Sequence, residues 1–246
     1  IMDITETVFD FKALSTQQQD YFFEKIAEFD QQVFTLTCEK ELKKYLYDPQ
    51  AISVTIIQYH HRGKLVGQTI IPLLALTLLH QQILVVNSRA SFLKSYRYQY
   101  NHKIINSALK AMLNQRFKYP LTPMWFIATI NQPKLYAHFI SRVRGFYPRS
   151  DIRMPEDYLS VLQVMASRQR DIQKRDEDIY VHQTCVPLRS EEELQQLRVH
   201  ANPHCDFFLQ HAPDYFDGIG LMCICRLDSK TLTETALNFA LDRKES

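Results

Sequence analysis

The stretch MWFIATINQPKLYAHFISRVRGFYPR, residues 124–149, decides how this chain is read. Trp125, Phe126, Ile127 and Ile130 make an apolar strand that stops at Asn131. Pro133 opens a helix, because its fixed φ and missing N–H suit the first helical position. Leu135, Tyr136, Phe139, Ile140 and Val143 recur at helical spacing until Gly145 ends the run, and Phe146 and Tyr147 begin a new extended segment. The order is strand, helix, strand.

Upstream, Tyr21, Phe22, Ile26, Phe29, Val33, Leu42, Tyr45 and Leu46 recur at threes and fours, with Ser15 or Thr16 placed to cap, and predict two amphipathic helices between Thr16 and Tyr47. Ile52, Val54 and Ile56 then predict a strand, residues 60–63 (HHRG) a turn, and Leu65 to Ile71 a return strand that Pro72 ends or moves to a sheet edge. The unbroken apolar order Ile83-Leu84-Val85-Val86 suits a central strand covered on both faces. Ile104, Ile105, Ala108, Leu109, Met112 and Leu113 form the stripe of a helix packed on that sheet. The expected architecture is α/β, a mixed, mostly antiparallel central sheet flanked by helices, with a C-terminal extension.

Beyond Pro148 the texture changes. A charged run from Gln169 to Asp178 surrounds one short helix, Tyr158 to Met165, and reads as a connector; Leu221 to Leu227 reads as a last strand, with Cys223 and Cys225 on one of its faces. The expected division is therefore 1–150 for the main domain and 151–246 for a helical connector and strand-containing extension packed on it.

Composition narrows the function. The net charge is +2 with Lys and Arg spread along the chain, too little to attract nucleic acid without specific contacts. The longest apolar run, Ile70 to Leu79, holds a proline and reaches about half of the ~20 residues a membrane span needs. Five cysteines, an odd number without paired metal-ligand spacing, read as unbridged thiols in a cytoplasmic protein. His200, His204, Cys205 and His211 are interrupted by Pro203 and read as loop or packing residues, so no metal is expected. Glu24, Glu28 and Asp30 read as a solvated helix face. No nucleophile elbow, P-loop or dinucleotide fingerprint occurs.

The order of strand, Asn131, helix and Gly145-Phe146 resembles the second half of the GNAT superfamily of acyl-CoA N-acyltransferases, over roughly residues 1–150. Phe146-Tyr147-Pro148, Asn202-Pro203, Phe207-Phe208, Pro213 with Tyr215, and Gly218 with Gly220 resemble an uncharacterised bacterial branch of GNAT-like proteins more closely still. The resemblance implies transfer of an acyl group from acetyl-CoA or another acyl-CoA to a small-molecule or peptide amine. It places the thioester between Val85-Val86-Asn87 and Ile130-Asn131. An acyl carrier protein is an alternative donor, and a non-catalytic binding scaffold an alternative function.

In that superfamily, backbone N–H groups of a glycine-rich turn receive the CoA pyrophosphate. Here the corresponding segment is residues 94–101 (KSYRYQYN), without glycine, in a chain holding five glycines altogether. The resemblance makes Lys94, Arg97, Tyr98, Asn101 and Lys103 the candidate cofactor-binding residues around the following helix start, where dipole and charge attract an anion. Tyr96, Tyr98 and Tyr100 can equally close the site. For the chemistry, Asn131 either positions the acceptor or caps the helix, and Tyr136 either protonates the leaving thiolate or packs in the core. The superfamily's tyrosine position holds Ser141, a poor proton donor, and His138 is a further candidate base.

Overall fold

The computed structural model describes residues 4–36, 38–97, 101–198 and 202–242; for 101–104 and 196–198 it describes the backbone alone. In chain order the elements are β1 (Ile4–Asp10), α1 (Thr16–Asp30), α2 (Glu39–Leu46), β2 (Ala51–His61), β3 (Lys64–Leu78), β4 (Gln81–Asn87), β5 (Arg89–Phe92) and α3 (Asn101–Lys118). There follow β6 (Met124–Ile130), α4 (Pro133–Ile140), α5 (Glu156–Ser167), β7 (Ile172–Lys174), β8 (Tyr180–Gln183), α6 (Glu191–Arg198), α7 (Pro203–His211), β9 (Ile219–Arg226) and α8 (Ser229–Ala240).

Among the described residues nine strands form one sheet in the order β1-β2-β3-β4-β6-β9-β8-β7, with β5 paired to β3 beside β4. Every pairing is antiparallel except β4 with β6. The sheet is thus mixed and mostly antiparallel, as the sequence led us to expect. Its two faces carry separate cores. Val86, Phe126, Cys223 and Cys225 pack with Met112 of α3, Ile140 of α4, Phe208 of α7 and Leu232 of α8. Val85, Trp125, Ile127 and Ile224 pack with Ile26 of α1, Leu42 of α2 and Val161 of α5. Alternation along β4 and β6 sends successive side chains to opposite faces.

Local sequence accounts for the element ends. Ser15 accepts from the Gln18 N–H while the Gln18 side chain accepts from the Ser15 N–H, a reciprocal cap on α1. Arg62 and Gly63, both at positive φ, make the tight β2–β3 turn. Gly145 closes the segment after α4 with φ +59.

Four expectations need correction. Pro72 does not end β3, which runs on to Leu78 in the middle of the sheet. Val54, opposite Pro72, gives its N–H to Asp10, so that pair asks no donor of the proline. On its other edge, β3 passes from β5 at Ile70 to β4 at Leu73, and the missing N–H falls in the gap.

The segment after Gly145 is not a strand. Tyr147 makes a single bridge to Ile224, and Pro148 cannot donate to continue a ladder. The partner beside β6 is instead β9, from far along the chain.

The charged run 169–178 holds β7, a three-residue edge strand whose side chains are partly or fully exposed. Charge suits an unpaired edge, which is why it read as a connector.

Lastly, Cys38 and Cys185 form a disulfide, and Cys205, Cys223 and Cys225 are buried free thiols. Spacing in sequence gave no sign of it, because the bridge joins positions 147 apart. The cysteine argument for a reducing compartment therefore falls away. No helix among the described residues is long and apolar enough to cross a membrane.

Candidate active site

The parallel pair β4 and β6 is in register from Leu84↔Met124 to Asn87↔Ile127. There the strands part. The chain turns at Ser88, whose N–H donates to Asn87 Oδ1 at 2.9 Å, and Arg89 to Phe92 pair with β3 instead. β6 continues through Ala128, Thr129 and Ile130 against β9 alone. Its other edge meets no strand among the described residues, leaving backbone groups available to a ligand. Across β6 from the gap, Gly220 of β9 lets the two strands close up, since a Cβ there would lie 2.4 Å from Thr129 Cγ2.

A cavity of about 280 Å³ runs through this opening from one sheet face to the other. On the α3, α4 and α8 face it is bounded by Leu109, Met112, Phe126, Leu135, Leu232 and Phe239. Toward the α1 and α2 face it meets Glu41, Tyr45, Arg89, Ser91 and Thr184. One end is apolar and the other polar, with the strand gap between them.

The polar end is organised around Arg89, whose side chain is 5% exposed. Its Nη2 lies 2.7 Å from Asp30 Oδ2 and its Nε donates to Glu41 Oε1 at 3.1 Å. Burial disfavours the guanidinium charge, but Asp30 and Glu41 outweigh this and hold its pKa above the ordinary arginine value. Asp30 Oδ1 also accepts from Gln68 Nε2 at 3.1 Å and Ser91 Oγ at 3.2 Å. Glu41 Oε2 accepts the Cys185 N–H at 2.8 Å, so the disulfide loop is tied to the same group. Burial, then the charge of Glu41, pushes the Tyr45 phenol well above its usual range, so it remains protonated at neutral pH. With two carboxylates and one guanidinium the cluster carries a net charge of −1, which attracts a cationic amine.

Sequence reasoning missed this cluster. Asp30 was assigned to a solvated face, yet it is 3% exposed, whereas Glu28 pairs with Lys25 at the surface. Glu41 did leave a signal, because it stands four residues before Tyr45 and so shares the apolar face of α2. Arg89 interrupts an otherwise uncharged run from Gln81 to Leu93.

The sequence candidates are scattered around the gap. Val85 and Val86 are buried in β4 on opposite faces, and Asn87 is the last residue before the strands part. Asn131, at the end of β6, lines the cavity and donates from Nδ2 to Thr184 Oγ1 at 3.3 Å, while Thr184 Oγ1 donates to Gly218 O at 2.7 Å. It does not cap α4, which lacks a side-chain cap bond. Tyr136 is fully buried, donates its hydroxyl to Pro148 O at 2.7 Å, and packs against Phe207 and Phe208. Burial raises its pKa far above the ordinary phenol value.

Ser141 donates to the carbonyls of Ala137 and His138, and the His138 ring meets Arg142 and Phe239. Lys94 sits in a short turn ahead of α3. Arg97 lines the cavity, but its Nη1 donates to Leu188 O and to Glu193 Oε1, at 3.0 and 3.3 Å. Tyr96 turns away to His61, with its hydroxyl 2.8 Å from Nδ1. Tyr98, Tyr100 and His200, and the side chains of Asn101 and Lys103, lie outside what is described.

Ligand-type atoms of Cys38, Glu41 and Cys185 lie within 4.8 Å of one another, but the sulfurs are joined and neither is a thiolate that would bind a metal.

The fold and site thus define an α/β sandwich with a cavity through the parting of the parallel strand pair β4 and β6. No family model matches this chain, and no curated protein matches it in sequence. Several solved structures are similar in chain path. A GNAT family N-acetyltransferase from Escherichia coli, YhbS in complex with CoA, is 12% identical over 58% of this chain and 71% of its own, with a TM-score of 0.40. An acyl-CoA N-acyltransferase from Pseudomonas aeruginosa is 16% identical over 63% and 94%, with a TM-score of 0.37. FeeM, an N-acyl amino acid synthase from uncultured soil microbes, is 10% identical over 60% and 80%, with a TM-score of 0.36.

Proposed function

We propose that this protein is an acyltransferase that moves an acyl group from an acyl-CoA, or from the pantetheine of an acyl carrier protein, to an amine. The observation that carries the reading is the parting of β4 and β6 at Asn87 and Ile127, with a cavity running through it between a net-negative cluster and an apolar chamber. A thioester in the gap meets backbone groups of β6 that are unpaired among the described residues, and an N–H there polarises its carbonyl. The amine arrives as an ammonium ion drawn by the carboxylates of Asp30 and Glu41, whose charge Arg89 only half balances. Glu41 takes one proton, the freed nitrogen attacks the carbonyl carbon, the C–S bond breaks, and the second proton that the nitrogen sheds on becoming an amide ends on the departing thiolate. Asn131, held by Thr184, positions the acceptor.

The engagement of Arg97 with Glu193 favours the carrier-protein donor, since that arginine's charge is already balanced and a carrier lacks the adenosine diphosphate that would need it. Thiol release is the direct test. Protein mixed with acetyl-CoA, octanoyl-CoA or an octanoyl-carrier protein and a panel of primary amines is expected to release thiol only when an amine is present. Glu41→Gln is expected to slow that release by about a hundredfold or more, the usual worth of a general base. Thiol release that ignores the amine, or that Glu41→Gln leaves intact, would overturn this mechanism; no release with any donor would leave a binding scaffold.

A further inference from the structure

The apolar end of the cavity has a roof. Helix α8 lies against α3 and is pinned to α4 and the turn that follows it. Asn238 Nδ2 donates to Arg142 O at 3.0 Å, Arg144 pairs with Glu234, and the Phe239 ring stands 5.4 Å from that of His138 and 6.3 Å from that of Phe139. Beneath it, Leu109, Met112, Phe126, Leu135, Leu232 and Phe239 surround the space, and Thr231 and Thr235 of α8 and Thr69 of β3 line this face as polar residues. This chamber opens directly into the gap between β4 and β6.

We propose that the chamber is an acyl-chain site and that the donor thioester carries a linear fatty acyl group longer than acetyl. The inference rests on the acyltransferase reading and specifies its donor. Three parts of the reacting pair compete for the chamber: the acyl tail, the pantetheine arm and the amine acceptor. A pantetheine arm has two amides, which would be buried against a lining with little to bond them. An amine would lose its hydration far from the carboxylates at the other end. An alkyl tail has no polar group to satisfy, and gains from each methylene withdrawn from water. With the carbonyl in the gap, the tail runs under α8 while arm and acceptor approach from the polar side.

Binding of acetyl-, butyryl-, octanoyl- and dodecanoyl-CoA, and of free dodecanoate, tests this by calorimetry. Affinity is expected to rise up to about fourfold for each added methylene until the chamber is full, then level off. Ala108→Phe, which narrows the chamber from α3, is expected to move that plateau to a shorter chain. An unchanged thermal midpoint establishes that the variant is folded, and Leu135→Phe, narrowing from α4, serves where it is not. Equal affinity for all four thioesters overturns the acyl-chain site and leaves the transferase reading standing. Binding of dodecanoate alone, weakened by Ala108→Phe, supports the chamber while removing CoA as the carrier. Binding of none of the five overturns the chamber.

Discussion

Arg89 Nη2 lies 2.7 Å from Asp30 Oδ2 with the two side chains 5% and 3% exposed, so the strand gap is walled on one side by a desolvated ion pair. Glu41 shares the same guanidinium. Two charges withdrawn from water do not by themselves stabilise a fold, but removing one strands the others. Arg89→Leu is therefore expected to cost about 3–5 kcal/mol, the range for breaking a buried pair, in urea denaturation. Asp30→Asn, which leaves Arg89 its contact with Glu41, is expected to cost less. An Arg89→Leu variant as stable as the parent would mean that water reaches the cluster freely.

The Cys38–Cys185 bridge closes a loop of 147 residues and ends beside Glu41, which accepts the Cys185 N–H. On the chain-entropy account such a long loop contributes at most about 5 kcal/mol, with strain subtracting from that figure. Dithiothreitol is expected to lower the thermal midpoint of the parent to that of Cys38→Ser and to leave the variant unmoved. Reduction should also weaken amine-dependent turnover, because the loop that hydrogen-bonds Glu41 is no longer tethered. A parent whose midpoint ignores reductant would show that the bridge adds no stability in solution.

The sequence carried β2, the first half of β3, β4 and β6, and the helices among them, because an unbroken apolar run such as Ile83 to Val86 and a helical stripe such as Leu135 to Val143 are strong local signals, whereas β1 and the short β5 went unread. It failed where the chain returns from a distance. That β9 inserts beside β6 is fixed by non-local pairing such as Phe126↔Cys225, which leaves no local mark beyond an apolar run. The edge hairpin of β7 and β8 has only three and four residues, too few to show alternation. The expected thioester position, between Val85-Val86-Asn87 and Ile130-Asn131, borders the gap that opens beyond Asn87↔Ile127. Its charged cluster was not legible, because Asp30, Glu41 and Arg89 come from three separate elements, each unremarkable in its own stretch of sequence.

His182 of β8 is 4% exposed, near Asp171 and with Nδ1 3.1 Å from Thr129 Oγ1. Burial lowers its pKa below the ordinary 6.5, against the opposing pull of Asp171 and Glu41 and with some help from Lys44. The folded imidazole therefore stays neutral at pH values where the unfolded one takes a proton. The sign follows: its contribution is full above about pH 6.5 and is lost as pH falls through the folded value, with a slope of at most about 1.4 kcal/mol per pH unit. Asp171, whose own pKa lies below 3.8, acts in a separate and more acid window. Denaturation between pH 7 and pH 5 is expected to show declining stability in the parent and a flatter profile in His182→Gln. Parallel profiles would assign the decline to other groups.

Tyr136 separates a packing role from a proton-donating one. Its hydroxyl is committed to Pro148 O at 2.7 Å, its ring is enclosed by Phe207 and Phe208, and it is not among the residues bounding the cavity. Its raised pKa removes any tendency to ionise, but a donor also needs a path to the leaving sulfur, and this hydroxyl faces the turn at Pro148 instead. Tyr136→Phe leaves a buried carbonyl without its donor and is expected to cost about 1–3 kcal/mol of stability. Turnover of the folded variant should stay within a few-fold of the parent, with the pH profile unmoved. A loss of about a hundredfold or more in kcat at full stability would instead make the tyrosine the acid that protonates the thiolate, and would require the Pro148 bond to break during the cycle.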